Sequence, residues 1–291
     1  MMVDQDQKDR VMRSIGFMQG RLSPLIEGKI QAFPWEHWRA EFQLAEEHGF
    51  KLMEWTLDQE RLYENPLMTP DGRSDIKALI ARHSVEVLTL TGNCFMQAPF
   101  YKAQGKEREQ LTLDLQNILQ ACGKLHMHSI LIPLVDAGRL ENISQENALL
   151  DILASLQPLL EEAAIKISFE SDYTPEKFAA LIDRLDERYF GITFDIGDSA
   201  AMGHDHADEL MAYGNRIINV HVKDRLLGGT TVPLGTGNAR LPQVTRAIIS
   251  SGYRGNFILQ TARATDGEHV NTLVKYRGML ESWLTDSTME H

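Results

Sequence analysis

Residues 165–185 read IKISFESDYTPEKFAALIDRL, a short apolar run followed by a longer amphipathic one. In IKISFE the apolar and polar side chains alternate, which predicts a strand with one face against the core. Residues 174–185 carry apolar side chains at helical spacing and open with Thr-Pro-Glu, which predicts the start of a helix. The stretch therefore predicts one strand–helix unit, and the number of times the chain repeats that unit decides its fold.

The unit recurs eight times along the 291 residues. Strands are predicted at 14–22, 50–57, 85–93, 129–135, 165–172, 190–198, 217–225 and 255–263. Each is followed by a predicted helix, at 33–49, 74–84, 106–125, 145–164, 174–185, 205–214, 241–253 and 267–284. Because no proline- or serine-rich linker separates the units, we predict an α/β protein with a single (β/α)8 TIM barrel at 14–291, preceded by an N-terminal extension at 1–13. A doubly wound sheet is the alternative, but it typically has fewer strands, and no Gly-x-Gly-x-x-Gly turn follows the first strand here.

Composition narrows the class of partner. The chain is 43% hydrophobic and 24% charged, as globular proteins are, and its net charge of −12 argues against binding nucleic acid. The charged N-terminal segment is unlike a signal peptide, and no apolar stretch approaches the roughly 20 residues that span a bilayer. The two cysteines are too few for a disulfide framework or a cysteine-rich zinc site. We therefore expect a cytoplasmic protein that does not bind membranes, and the sequence is compatible with a homo-oligomer.

Polar residues end four consecutive predicted strands. In a (β/α)8 barrel the active site lies at the carboxyl ends of the strands, where alternate side chains point inward. This pattern places Glu170, Asp195, His221 and Gln260 together at the inner rim. Carboxylate, imidazole and amide oxygen are ligands for divalent cations, and two buried carboxylates are costly without one. A lone carboxylate could instead bind a loop, and a lone strand histidine could be a core residue, so the predicted metal site depends on the set of four.

Other residues at the strand ends are candidates for contact with a substrate. Lys223 points inward two residues after His221 and is a candidate catalytic residue, able to stabilise negative charge or hold an anion. The predicted substrate ligands are Arg21, Glu54, Asn93, Asp198, Arg225 and Arg263. Arginines at strand ends suit a phosphate or a carboxylate, although a loop arginine is often only solvated. Asp198 could equally serve the Gly-Asp-Ser turn in which it lies.

Several of these segments also resemble a known family. FESD (169–172), FDIGDSAAMG (194–203), HVKDR (221–225) and PLGTG (233–237) are similar to segments of the sugar phosphate isomerase/epimerase superfamily, the xylose isomerase-like TIM barrels. MQGRL (18–22) and LMEW (52–55) extend the resemblance over nearly the whole chain. The resemblance implies one divalent metal ion, with Mn²⁺, Mg²⁺, Co²⁺ and Zn²⁺ as candidates. The metal ligands it implies are Glu170, Asp195, His221 and a fourth residue that is Glu in the family and Gln260 here.

The resemblance implies an isomerase or epimerase of a sugar, keto-sugar or sugar phosphate that works through a metal-stabilised ene-diolate. Glu170 would be the general base, assisted by Lys223. The family's epimerases use two glutamates to move a proton between opposite faces of the substrate, and Gln260 cannot accept that proton near neutral pH. Same-face transfer, as in aldose–ketose isomerisation, is therefore favoured. The alternatives are a metal-dependent dehydratase or lyase on a polyhydroxylated keto acid or cyclitol, for which one base suffices, and a non-catalytic sugar-binding barrel.

Overall fold

A computed structural model of the protein describes residues 15–264 and 267–286, and the predicted extension at 1–13 lies outside these residues. Eight parallel strands form a closed barrel in the order β1-β10-β7-β6-β5-β4-β3-β2, which confirms the predicted (β/α)8 fold. The barrel strands are β1 (Ile15–Met18), β2 (Leu52–Leu57), β3 (Glu86–Gly92), β4 (Ser129–Leu134), β5 (Lys166–Ser171), β6 (Phe190–Asp195), β7 (Ile217–Val222) and β10 (Phe257–Leu259). A small hairpin of β8 (Asp224–Arg225) and β9 (Thr231–Val232) follows β7.

The helices alternate with the strands along the chain. They are α1 (Trp38–Glu47), α2 (Pro70–His83), α3 (Asn93–Gln97), α4 (Gly105–Lys124), α5 (Ile143–Ala163), α6 (Pro175–Ile182), α7 (Ile196–Met202), α8 (His206–Tyr213), α9 (Leu241–Ser250) and α10 (His269–Asp286). Within the described ranges, none of them combines the length and the apolar character needed to cross a bilayer.

Alternation along the strands separates the two faces of the barrel wall as predicted. On the inner face, the Ser168 and Thr193 hydroxyls lie 2.7 Å apart between β5 and β6. On the outer face, the rings of Phe169 and Phe190 stack in the layer between barrel and helices, with centroids 6.4 Å apart. Since the side-chain period of a strand is two, this phase carries the last polar residue of each strand into the lumen.

The lumen has an apolar layer below its polar one. Met18, Leu52 and Ile258 are fully buried and form a cluster of their own inside the barrel. Leu52 and Ile258 each stand two residues before a polar residue on the same inward face, Glu54 and Gln260. The polar residues therefore lie one layer above this apolar cluster, toward the carboxyl ends of the strands.

The predicted strands are too long at their carboxyl ends. The strand predicted at 190–198 ends at Asp195, because the Asp195 side chain accepts a hydrogen bond from the Asp198 backbone N–H at 2.8 Å and caps α7. The strand predicted at 85–93 likewise ends at Gly92, and α3 starts at the next residue. The segment predicted at 217–225 divides into β7 and the first strand of the hairpin. These early endings leave room for short helices and a hairpin at the mouth of the barrel.

A buried carboxylate fixes the loop after β1. Glu41 on α1 has no exposed surface, and its side chain accepts hydrogen bonds from the backbone N–H of Gly20 at 2.9 Å and of Leu22 at 3.0 Å. Burial raises the pKa of Glu41 to about 7, and the two backbone hydrogen bonds only partly oppose this. The folded protein therefore holds a proton on Glu41 at a pH where the unfolded chain has lost it.

This pKa predicts how stability depends on pH. Between the unfolded pKa of 4.5 and the folded value of about 7, the free energy of unfolding contributed by Glu41 falls as pH rises, and the full cost is present above pH 7. We expect the free energy of unfolding of Glu41→Gln, relative to that of wild type, to rise by about 2–3 kcal/mol from pH 5 to pH 8. Urea denaturation of both proteins at the two pH values measures the change. An equal difference at both would contradict the prediction.

Candidate metal centre

Three potential metal ligands converge at the carboxyl ends of β5, β6 and β7. One ligand atom from each of Glu170, Asp195 and His221 lies within 4.8 Å of the others. His221 Nδ1 is 3.8 Å from Glu170 Oε2 and 3.8 Å from Asp195 Oδ2. Metal–ligand bonds of about 2.0–2.2 Å would let one ion reach all three atoms after small shifts.

Each of these ligands keeps an atom that could turn to a cation. Asp195 uses Oδ1 to cap α7, and His221 Nε2 lies 2.8 Å from a carboxylate oxygen of Glu54. Among the described residues, His221 Nδ1 and Glu170 Oε2 are buried without a hydrogen-bond partner, whereas Asp195 Oδ2 faces the Lys223 ammonium at 2.8 Å. Buried polar atoms without partners are rare in folded proteins, and a cation would satisfy both while sharing Asp195 with Lys223.

Gln260 completes the ring of strand ends. Its backbone N–H donates to the Val222 carbonyl at 3.1 Å, which extends the pairing of β10 with β7 by one residue. Its side-chain Oε1 is also buried without a hydrogen-bond partner. An amide oxygen can coordinate a divalent cation, so the residue that departs from the family pattern still offers a donor of the right kind.

The structure corrects the predicted place of Glu54. The sequence put this residue on the rim as a substrate ligand, but its side chain is fully buried inside the barrel. It contacts four donors, which are the Thr89 and Thr91 hydroxyls on β3 and the Asn219 amide and His221 ring on β7. Because the inward face of β2 meets those of β3 and β7 across the lumen, Glu54 lies beneath the candidate metal site rather than beside a substrate.

Charge in this layer favours an ionised pair. Burial alone would raise the pKa of Glu54, but the charge and hydrogen bond of His221 outweigh it and lower that pKa. Burial likewise disfavours charge on His221, yet Glu54 above all raises the pKa of His221 to about 9. A buried carboxylate and a buried imidazole thus stabilise each other's charged forms.

A second set of charges lies along the rim. Lys223 Nζ is 2.8 Å from Asp195 Oδ2 and 2.8 Å from Asp198 Oδ1, and Arg225 Nη1 is 2.6 Å from the same Asp198 oxygen. Burial opposes charge on Lys223, but Asp195 and Asp198 raise its pKa. For Asp198 the opposing effect of burial is outweighed by Lys223 and Arg225, which lower its pKa. Asp198 therefore holds two cations at the mouth of the site.

The Glu170 carboxyl group holds its proton more tightly than an ordinary glutamate. Burial raises its pKa to about 8, and the neighbouring charges of Asp198 and Asp195 act in the same direction. Nearby positive charges of His221 and Lys223 oppose the rise without cancelling it.

Three other predicted substrate ligands are engaged in bonds within the protein. Arg21 is buried and donates to the backbone carbonyls of Thr261 and Ile30, each at 2.9 Å. Arg263 donates to the Ser23 carbonyl, so the two arginines join the loop after β1 to the segment after β10. Asn93 is buried and donates to Asp58 at 3.0 Å. Their contact with a substrate stays a prediction.

The residues that support Glu54 are not among those that the sequence singles out. They are Thr89 and Thr91 on β3 and Asn219 on β7. The available signal was the TLT of residues 89–91, two polar side chains on one face of a strand in an otherwise apolar run. A β-bulge between β2 and β3 sets which face that is, and bulges cannot be read from period-two alternation.

Comparisons with known proteins agree with the barrel fold. The sequence model of the xylose isomerase-like TIM barrels matches residues 42–281. Among solved structures, the IOLI protein with a bound zinc atom superposes with a TM-score of 0.73 and 16% identity, over 94% of this chain and 99% of that one. The 3-keto-D-glucoside 4-epimerase of E. coli gives a TM-score of 0.68 and 17% identity, over 91% and 99%. These identities show a shared fold.

One curated relative matches part of the chain. An uncharacterized protein of Methanocaldococcus jannaschii is 25% identical over 134 residues, which is 42% of this chain and 46% of that protein. The chain thus aligns with about half the length of this relative.

Removing His221 tests whether its positive charge stabilises the buried Glu54 carboxylate. We expect His221→Leu to lower the free energy of unfolding of the metal-free protein by about 3–5 kcal/mol, because Glu54 is left buried without its cationic partner. The double variant Glu54→Gln/His221→Leu should recover much of this loss, since the uncompensated charge is gone. Urea denaturation in a chelator gives all the values. A double variant no more stable than the single one would contradict the charge argument.

Proposed function

The chain belongs to the xylose isomerase-like TIM barrel family, and on that premise we propose that it is a divalent-metal-dependent isomerase or epimerase acting on a sugar, keto-sugar or sugar phosphate. The observation that carries the proposal is the convergence of ligand atoms from Glu170, Asp195 and His221 at the mouth of the barrel, where Glu170 Oε2 and His221 Nδ1 have no hydrogen-bond partner among the described residues. A zinc-bound structure and an epimerase with the same fold support this direction.

The residues present fit a divalent cation. Glu170, Asp195, His221 and Gln260 would hold it, through two carboxylates, an imidazole and an amide oxygen. Lys223 does not take the place of the cation. Its ammonium lies 2.8 Å from both Asp195 Oδ2 and Asp198 Oδ1, and Glu170 Oε2 and His221 Nδ1 still have no hydrogen-bond partner among the described residues. When bound, the cation supplies Lewis-acid polarisation of a carbonyl and its neighbouring hydroxyl.

The chain's own residues then divide the proton chemistry. Glu170 removes the proton from the carbon next to the substrate carbonyl and returns it to the former carbonyl carbon, while the hydroxyl proton of the first carbon passes to the former carbonyl oxygen. The Lys223 ammonium, fixed by two aspartates, donates a hydrogen bond to the oxygen on which negative charge develops. Gln260 orients the substrate or the cation without taking part in proton transfer. Proton removal and return on one face gives aldose–ketose isomerisation.

The same single base favours one alternative reaction class. In β-elimination, Glu170 takes the proton from the carbon next to the carbonyl and a hydroxide leaves from the next carbon as water. A dehydratase or lyase on a polyhydroxylated keto acid or cyclitol therefore uses the same residues. Its product has lost a water and differs from an isomer in mass by that amount, so mass spectrometry separates the two.

Metal binding is the first test of the proposal. We expect purified wild type, stripped and titrated with Mn²⁺, Mg²⁺, Co²⁺ or Zn²⁺, to bind about one ion per chain, because ligand atoms of Glu170, Asp195 and His221 converge there. Gln260→Glu should bind the same ion more tightly, since it adds a negative charge. Asp195→Asn, with an amide in place of an essential carboxylate, should bind it at least about tenfold more weakly. If Gln260→Glu binds metal and wild type does not, the non-catalytic sugar-binding barrel becomes the better account.

Proton exchange tests the role of Glu170. With a panel of ketoses, aldoses and their phosphates in D₂O, wild type should introduce deuterium beside the carbonyl of its substrate. We expect Glu170→Gln to reduce this exchange by at least about 100-fold, because the amide cannot act as a base. Glu146→Gln, at a glutamate paired with Arg184 on the surface, is the control and should exchange at the wild-type rate. Undiminished exchange by the Glu170 variant would exclude Glu170 as the base.

A further inference from the structure

We infer that Glu54 is a positioning residue, which fixes the ring of His221 so that Nδ1 and not Nε2 faces the metal. This inference rests on the proposed function, because it concerns how the chain presents one ligand to that metal. It gives Glu54 a role different from the substrate contact predicted from sequence.

Glu54 has no hydrogen-bonding capacity left for a substrate. Its side chain is fully buried, and each carboxylate oxygen accepts from two donors. Oε1 accepts from the Thr91 hydroxyl and faces His221 Nε2 at 2.8 Å. Oε2 accepts from the Thr89 hydroxyl at 2.6 Å and from Asn219 Nδ2 at 2.8 Å. A carboxylate surrounded in this way is fully hydrogen-bonded within the protein.

The hydrogen bond to Glu54 determines which nitrogen of the His221 ring faces the metal. An ionised carboxylate only accepts hydrogen bonds, so the ring nitrogen that faces Glu54 must carry the hydrogen. That nitrogen is Nε2, so the proton that a metal ion would displace from the ring is the one on Nδ1, whose lone pair then faces the metal. Nδ1 is the atom that lies 3.8 Å from Glu170 Oε2 and 3.8 Å from Asp195 Oδ2. The hydrogen bond therefore selects both the tautomer and the direction of the ring.

The Glu54 carboxylate that supports His221 reaches it from across the lumen. In the closed barrel, β2 and β7 are separated by β1 and β10, so the Glu54 side chain crosses the interior to reach the ring. Thr89 and Thr91 on β3 anchor the carboxylate from its own side, and Asn219 anchors it on β7. The ring is thus held by a group on a strand that contributes no metal ligand.

Substitution by glutamine separates this role from simple packing. The amide keeps the shape of the carboxylate but replaces one acceptor oxygen by an NH₂ donor. If the NH₂ faces Asn219, the Asn219 amide must turn so that its Oδ1 accepts, and His221 Nε2 donates to a neutral amide oxygen, which is a weaker acceptor than a carboxylate. If the NH₂ faces His221, Nε2 must accept, and the hydrogen moves to Nδ1, where it blocks the metal. Either arrangement weakens the presentation of Nδ1.

The experiment compares Mn²⁺ affinity in wild type, Glu54→Gln and Glu41→Gln by titration calorimetry. Glu41 is the matched control, a carboxylate that is equally buried but binds backbone N–H groups of the loop after β1. We expect Glu54→Gln to bind Mn²⁺ about 10–100-fold more weakly and Glu41→Gln to match wild type. Equal affinity in Glu54→Gln and wild type would overturn the positioning role and leave the proposed function standing. A wild type that binds none of Mn²⁺, Mg²⁺, Co²⁺ and Zn²⁺ would overturn both.

A second measurement needs no variant of Glu54. In Zn²⁺-loaded wild type with ¹⁵N-labelled histidine, the two-bond ¹H–¹⁵N pattern of a ring identifies the nitrogen that carries hydrogen. The signals of His221 are assigned by their loss in His221→Asn. We expect a protonated Nε2 and a metal-bound Nδ1. A metal-bound Nε2 would overturn the inference even if Glu54→Gln failed to fold.

Discussion

The hydrogen bond between Glu54 and His221 is the interaction on which the arrangement of the site depends. A carboxylate without any exposed surface persists in a barrel lumen only when donors surround it and a positive charge lies close by. Here the donors come from β3 and β7 and the charge from the histidine itself. Meeting this requirement also fixes the ring, so one constraint both stabilises the polar interior and points a ligand atom at the mouth of the barrel.

Above this pair, charges alternate toward the solvent. Asp195 lies against His221 and Lys223, and Lys223 in turn lies against Asp198, which also holds Arg225. An additional carboxylate in place of Gln260 would add a further negative charge to a group that already contains several buried acids. The amide therefore reduces repulsion in the absence of a cation while still offering an oxygen. Under the proposed function, the amide lowers the affinity of the site for a cation but also lowers the repulsion among its buried acids.

The same arrangement narrows the chemistry that suits the site. Asp195 is committed through one oxygen to the start of α7 and through the other to Lys223, whereas Glu170 keeps an oxygen without any hydrogen bond. A carboxyl group whose pKa is raised to about 8 is a strong base once it has lost its proton, and with a fixed ammonium nearby it suits the removal of a proton from a carbon while negative charge develops on a neighbouring oxygen. Isomerisation and elimination share this first step, and they differ only in where the proton or the leaving group goes afterwards.

The sequence by itself determined the eight-stranded barrel, the inward face of each strand, and the candidate ligands at four strand ends, because these follow from hydrophobic periodicity and from the order of the units. Tertiary structure alone decided the depth of each residue. Glu54 and Gln260 both follow an inward apolar residue on their strands, yet one lies buried under His221 and the other at the mouth. Donors on β3 and β7 hold the Glu54 carboxylate inside the lumen, whereas the Gln260 amide oxygen has no hydrogen-bond partner among the described residues. The contacts of Glu54 join residues far apart in the chain, which local patterns do not encode.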